Sequence, residues 1–301
     1  MQWFFASLLA PLVWSIVNHA DKIILSRYFR GHGAGGLMIF VGVVSVPFAM
    51  LIALMSPQSL VLGLAGALSC IASGILYNVG AYLYLSVLEK HDASYVVPFW
   101  QLTPVCAYFF GIFFLGEYVE STKILGGLIV IAGAIILSLR IRNFRFTLDV
   151  RSMSLMVISS AALALGYVLF KDADSAPFWV GMFWNQIGMV LFGAVFFLVP
   201  QFRDEFLTVV RRNSAPVLAL NIAEQALEVV GVVAANFAVL LAPAAIIILI
   251  EYSAQPVFVF LIGLILTLLL PRLVSEDIRP RVLAQKATAI AVMTLGLVLV
   301  L

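Results

Sequence analysis

The chain reads as a series of long apolar runs divided by short polar punctuation. A helix needs about 20 apolar residues to cross the ~30 Å hydrocarbon core of a bilayer. Runs of that kind recur over residues 3–26, 35–55, 59–88, 94–116, 122–140, 154–171, 177–200, 214–241, 243–270 and 284–301. The intervals hold the breakers and the charges: RGHGAGG, SPQS, EKHDAS, GEYVESTK, RIRNFRFTLDVR, DADSAP, QFRDEF and PRLVSEDIRPR. The runs do not alternate apolar with polar residues, as the strands of a membrane barrel do over about ten positions. The pattern predicts an all-α polytopic membrane protein with ten transmembrane helices and no sizeable aqueous loop domain.

Composition sharpens that expectation. Of 301 residues, 63% are hydrophobic and 11% charged, against roughly 25% charged in soluble domains. Too few charges remain to coat a water-facing globule, which excludes a soluble enzyme, a nucleic-acid binder and a disordered chain. The formal net charge of +2 asks for no polyanionic partner. MQWFF enters the first run without a preceding basic segment, so that run is expected to be a retained span rather than a signal peptide. Cys70 and Cys106 sit inside apolar runs without metal-ligand spacing. The expected setting is the cytoplasmic (inner) membrane, crossed many times, with the lipid bilayer and a small molecule as partners, a homodimer left open, and no cofactor or metal.

The two halves of the chain resemble each other. Sliding it on itself aligns VVPFWQLTPVCAYFFGIFF with IILIEYSAQPVFVFLIGLIL, so that Pro104 falls on Pro256, Gly111 on Gly263 and Trp100 on Tyr252. Further on, Gly133 matches Gly296 after an insertion in the second half. The repeat unit holds five spans, over residues 1–142 and 143–301. An odd number of spans turns the second unit upside down relative to the first.

Residues 81–137 place a helix, an Ala/Ser junction, a proline-containing helix, Leu115-Gly116-Glu117 and a glycine-rich helix in succession. In that order they resemble the ten-helix EamA-type members of the drug/metabolite transporter superfamily. In the second half Leu269 stands where Glu117 would fall, so the later repeat is degenerate at that motif. The resemblance implies two inverted five-helix repeats, a substrate path between helices one, three, four, six, eight and nine, and both termini inside the cell. Charge points the other way. All of the 17 basic residues except Lys22, Lys123 and Lys171 fall on the side of the loop between spans one and two. The positive-inside rule then places the termini outside.

Ionisable side chains within a bilayer cost ~2.5–3.5 kcal/mol each on insertion scales, so they mark functional positions. Span eight carries Asn221, Glu224, Gln225 and Glu228 on one helical stripe, continued by Gly231 and Ala235. Span one carries Trp14, Asn18, Asp21, Lys22 and Ser26 on one face. Span nine carries Glu251, Tyr252, Gln255 and Pro256, and its counterpart span four carries Pro98, Trp100, Gln101 and Pro104. Proline kinks a helix and frees a carbonyl, which suits a cavity wall. Span three adds Asn78 and Tyr82 on one stripe and Tyr77 and Tyr84 on another.

The expected substrate-binding set is therefore Asn18, Lys22, Asn78, Tyr82, Trp100, Gln101, Glu224, Gln225, Glu228, Glu251, Tyr252 and Gln255. Glu224, Glu228 and Glu251 are the candidates for proton coupling. Glu117, Pro104, Pro256, Gly133 and Gly296 are read as structural. Glu117 is expected to cap or brace the tight turn before span five with Lys123, and Lys171 to mark a solvated loop end.

These positions predict a secondary transporter working by alternating access. Its substrate is expected to be a small polar or zwitterionic metabolite, such as an amino acid or amine, because carboxylates and aromatic faces accept a cationic group while Lys22 suits an anionic one. A non-transporting receptor or assembly subunit is the alternative. A membrane enzyme is disfavoured, since His19, His32 and His91 are scattered and no nucleophile elbow or metal motif is present.

Overall fold

The computed structural model describes residues 2–27, 34–55, 60–88, 97–138, 150–173, 177–269 and 279–300, apart from the side chains of residues 2, 21–27, 88, 97–98 and 137–138. Within them the apolar runs form α1 (Gln2–Arg27), α2 (Ala34–Met55), α3 (Leu64–Leu88), α4 (Leu102–Leu115), α5 (Ser121–Ser138), α6 (Val150–Asp172), α7 (Phe178–Leu198), α9 (Ala215–Val239), α10 (Ala244–Leu269) and α11 (Pro280–Val300). Among the described residues, eight helices are long and apolar enough to cross a membrane, and two shorter apolar helices cover 99–115 and 121–136. Large apolar side chains such as Leu54, Phe113 and Leu268 are exposed on the outside of the bundle. That arrangement is stable in lipid and unfavourable in water. The protein is a multi-pass integral membrane protein.

Two elements depart from the hydropathy pattern. Val97–Gln101 is a short 3-10 turn leading into α4. Pro104 therefore stands in the first helical turn, where the missing N–H costs nothing, and it does not break a helix interior as expected. Pro256 does lie inside α10. The second departure is α8 (Pro200–Arg212), which fills the segment expected to be a loop. A hydropathy window overlooks it because its apolar residues lie on one face only. Phe206 packs on Phe40 of α2 with ring centroids 4.6 Å apart, and Phe202 stacks on Phe196 of α7 at 4.9 Å.

Hydrogen bonds fix the helix directions. Ser15 donates to the Gln255 carbonyl at 3.2 Å and His19 Nε2 to the Val259 carbonyl at 3.0 Å, so α1 and α10 run parallel. Asn185 donates to Ser73 Oγ at 3.1 Å and Asn78 to the Met189 carbonyl at 3.5 Å, so α3 and α7 run parallel. Ser159 donates to the Gly80 carbonyl at 2.7 Å, while Gly166 lies against Ser73, so α3 and α6 are antiparallel. The most extensive helix contacts are α5 with α11, α3 with α6 and α7, α2 with α7, and α1 with α9 and α10. Glycine permits the α2–α7 approach: a Cβ on Gly42 would stand 2.8 Å from the Gly193 Cα.

Candidate functional site

Three buried surfaces converge at the middle of the bundle. From α1 come Trp14 and Asn18, with Trp14 seated against Gly231, where any side chain on α9 would collide with the indole. From α3 come Tyr77, Asn78, Ala81, Tyr84 and Leu85. From α9 and α10 come Glu224, Gln225, Glu228, Tyr252 and Gln255. With Trp100 from the turn before α4, they enclose a cavity of about 120 Å³. One water needs ~10–15 Å³ of such space, so it holds several waters or a small ligand.

The wall is aromatic and polar at once. Trp14 and Tyr77 stack with centroids 6.5 Å apart, Tyr84 and Trp100 at 4.0 Å, and Tyr252 meets Trp100 edge-on at 6.1 Å. The Tyr77 hydroxyl donates to Glu228, and Gln225 Nε2 donates to Glu224 at 2.6 Å. Two donors on the lining, Trp14 Nε1 and Trp100 Nε1, have no hydrogen-bond partner among the described residues; nor do two acceptors, Asn78 Oδ1 and Gln225 Oε1. A buried donor or acceptor left unpaired costs ~1–3 kcal/mol, so these atoms ask for water or ligand.

Of the expected binding residues, Asn18, Asn78, Trp100, Glu224, Gln225, Glu228, Tyr252 and Gln255 are brought together here. Three are not. Tyr82 packs edge-on against Phe196 and Phe202, with centroids 4.9 and 6.0 Å away. At ~100° per residue, the cavity face of α3 ends near Asn78, and Tyr82 lies ~40° beyond it. Gln101 is buried outside the cavity, with its amide turned to the α10 backbone. Glu251 lies beside the cavity wall, 1% exposed, and neither carboxylate oxygen has a hydrogen-bond partner among the described residues. The side chain of Lys22 lies outside the described residues. Trp14, Tyr77 and Tyr84 were absent from the expected set; tyrosines and tryptophans at helical spacing read as packing until a cavity gives them something to face.

Glu117 also differs from expectation. Its partner is Lys171 at 2.6 Å rather than Lys123, and its other oxygen accepts from the Ala244 N–H at 2.9 Å, capping α10 rather than α5. Lys171 is correspondingly an ion-pair partner and not a solvated loop end. The backbone explains the reach. Gly116 adopts φ 62°, a left-handed helix terminus, and the Glu117 N–H bonds back to the Gly111 carbonyl at 3.1 Å. The carboxylate then folds over Gly111, where a Cβ would lie 2.8 Å from Glu117 Oε2.

Residues 1–139 match the model of the EamA-like transporter family. That segment, a little under half of the chain, is similar to EamA-like transporters. No curated protein matches the sequence. A solved crystal structure of another protein superimposes on 99% of this chain and 96% of its own length, with a TM-score of 0.69 at 14% identity. At that identity the likeness concerns the fold alone.

Proposed function

We propose that this protein is a secondary transporter that carries a small polar metabolite bearing an amine, in free or zwitterionic form, by alternating access. The observation that carries the reading is the cavity itself. The first half of the chain supplies Trp14, Asn18, Tyr77, Asn78 and Trp100 to it, and the second half supplies Glu224, Glu228, Tyr252 and Gln255. A ligand held there touches both halves and can bias how they meet. Carboxylates and aromatic faces favour an ammonium group, and the unpaired indole N–H groups favour an anionic or carbonyl oxygen.

Ten spans arranged as two inverted repeats, 1–142 and 143–301, are part of the proposal. Packing supports it. Exchanging α1 with α6, α2 with α7, α3 with α9, α4 with α10 and α5 with α11 turns the α1–α9 contact into α6–α3, and the α1–α10 contact into α6–α4. The α2–α7 and α5–α11 contacts turn into themselves. Aligning Gly133 with Gly296 puts Gly126 on Ala289, and these sites meet crosswise. A Cβ on Gly126 would lie 2.7 Å from the Gly296 carbonyl, and one on Gly133 would lie 3.1 Å from that of Ala289. Such a pairing accompanies a two-fold axis between α5 and α11.

Glu224, Glu228 and Glu251 are the proposed coupling carboxylates, in a bacterial-type inner membrane carrying a proton gradient. The test is uptake of radiolabelled amines and amino acids into proteoliposomes with and without a pH gradient. Gradient-driven uptake is expected in the native protein and not in the Glu224→Gln, Glu228→Gln, Glu251→Gln triple variant. Undiminished gradient-driven uptake by that variant rules these carboxylates out as the coupling groups, and uptake by the native protein that ignores the gradient makes it a facilitator.

A further inference from the structure

The Glu117–Lys171 pair sits at one end of the bundle, and the cavity extends from the middle toward the other. Glu117 follows the C-terminus of α4, Lys171 ends α6, and Ala244 begins α10. Their contacts place those three helix ends on one face. Because α1 runs parallel to α10 and α3 antiparallel to α6, the C-termini of α1 and α3 lie on the opposite face. The cavity reaches from the middle of the bundle toward that opposite side, where Tyr84, Leu85 and Trp100 lie near helix ends.

A second, smaller chamber lies on the Glu117 side. Its volume of about 10 Å³ is near the minimum for one water. Ser73, Tyr77, Tyr167, Asn185 and Asn236 give it polar walls. Asn185, 1% exposed, has no partner for its Oδ1 among the described residues, and neither has the Tyr167 hydroxyl. Tyr77 lines both chambers and is held between them by its bond to Glu228. The Asn185–Ser73 bond serves packing, but the unpaired oxygens of Asn185 and Tyr167 ask for water or for something polar that passes there.

We infer that the small chamber is the closed half of the substrate path, and that Glu117 and Lys171 are the latch that shuts it. The inference rests on the alternating-access reading. One carboxylate from the first half binds the α6 ammonium and the α10 N-terminus of the second, and Lys171 also donates to the Ala242 carbonyl at 2.5 Å. Both side chains are mostly buried. Opening this face by rocking the halves apart breaks both contacts of Glu117 together, while the Lys171–Ala242 bond stays within the second half. At the position of Glu117 in the second half stands Leu269, so the repeat carries no carboxylate at the matching position.

The test reads the path directly. Cys70 and Cys106 are replaced, Ser73→Cys is introduced as a reporter in the small chamber, and labelling by a membrane-impermeant maleimide is followed from each face. Labelling from the Glu117 face is expected to be slow with the native pair. It should rise on the order of tenfold in Lys171→Ala and Glu117→Gln, the population shift from removing charge-assisted contacts that favour one state. The exchanged pair Glu117→Lys with Lys171→Glu should return it toward the slow rate. Unchanged labelling in both single variants overturns the latch, as does fast labelling in every variant including the native pair. Labelling requires no transported substrate, so failure to find transport leaves this result standing and counts against the proposed function alone.

Discussion

Gln101 donates from its side-chain amide to the main-chain carbonyl of Tyr252 at 3.2 Å. In a regular helix that carbonyl would accept from residue 256, which is proline and has no N–H. The turn before α4 therefore repairs the backbone defect that Pro256 creates in α10. The repair sets the position of Tyr252 in the cavity wall.

Replacing Gln101 with Leu should lower stability by about 1–3 kcal/mol, since the carbonyl is left buried and unpaired. Pro256→Ala restores the helical donor. In the Gln101→Leu, Pro256→Ala double variant the loss should be smaller than the two single losses combined. Thermal unfolding of the purified protein across this double-mutant cycle gives the coupling. Strict additivity would show that the two residues act separately.

Tyr82 and Tyr84 should behave oppositely, although two positions apart on one helix. Tyr84 stacks on Trp100 at the cavity, and Tyr82 packs on Phe196 and Phe202. Tyr82→Phe should leave ligand affinity within about twofold, the scale of a substitution outside the site. Tyr84→Ala should weaken binding on the order of tenfold, as loss of a stacked aromatic surface does. Titration calorimetry with a transported ligand distinguishes the two.

Glu228→Gln and Tyr77→Phe both remove the same charge-assisted hydrogen bond. Each should reduce affinity for an amine-bearing ligand, with Glu228→Gln the larger effect because it also removes the charge. Equal affinity in wild type and Glu228→Gln would falsify a role for this carboxylate in binding the amine.

Gly42→Ala should destabilise by about 1–3 kcal/mol, because its new methyl must push the α7 backbone away at Gly193. Gly63→Ala is the control, since a Cβ there meets nothing within 4 Å. Melting temperatures in one detergent should separate them clearly.

Some of this was readable in the primary structure. Asn18, Glu224, Gln225 and Glu228 stand out because a polar side chain in an apolar run has few places to go, and helical spacing put them on shared stripes. Tyr82 misled because a helix stripe is broad: a side chain ~40° past the edge of a cavity face keeps the right spacing and faces a neighbouring helix instead. The amphipathic α8 was hidden because only the periodicity of Phe202, Phe206 and Val209, and not mean hydropathy, records it. Lys171 looked like a loop cation because its partner, Glu117, is far away in sequence.

The sequence alone determined that this protein lives in a bilayer, roughly where most of its long helices lie, and which few polar residues those helices must hide. Those properties are local: they follow from the cost of exposing polar groups to lipid and from the length needed to cross it. Which polar residues share one cavity, which carboxylate binds Lys171 and which amide serves the carbonyl orphaned by Pro256 were decided by the tertiary structure. Such pairings depend on how helices distant in sequence are rotated against one another. That rotation is set by small-residue contacts such as Gly42 on Gly193, whose partner no local pattern names.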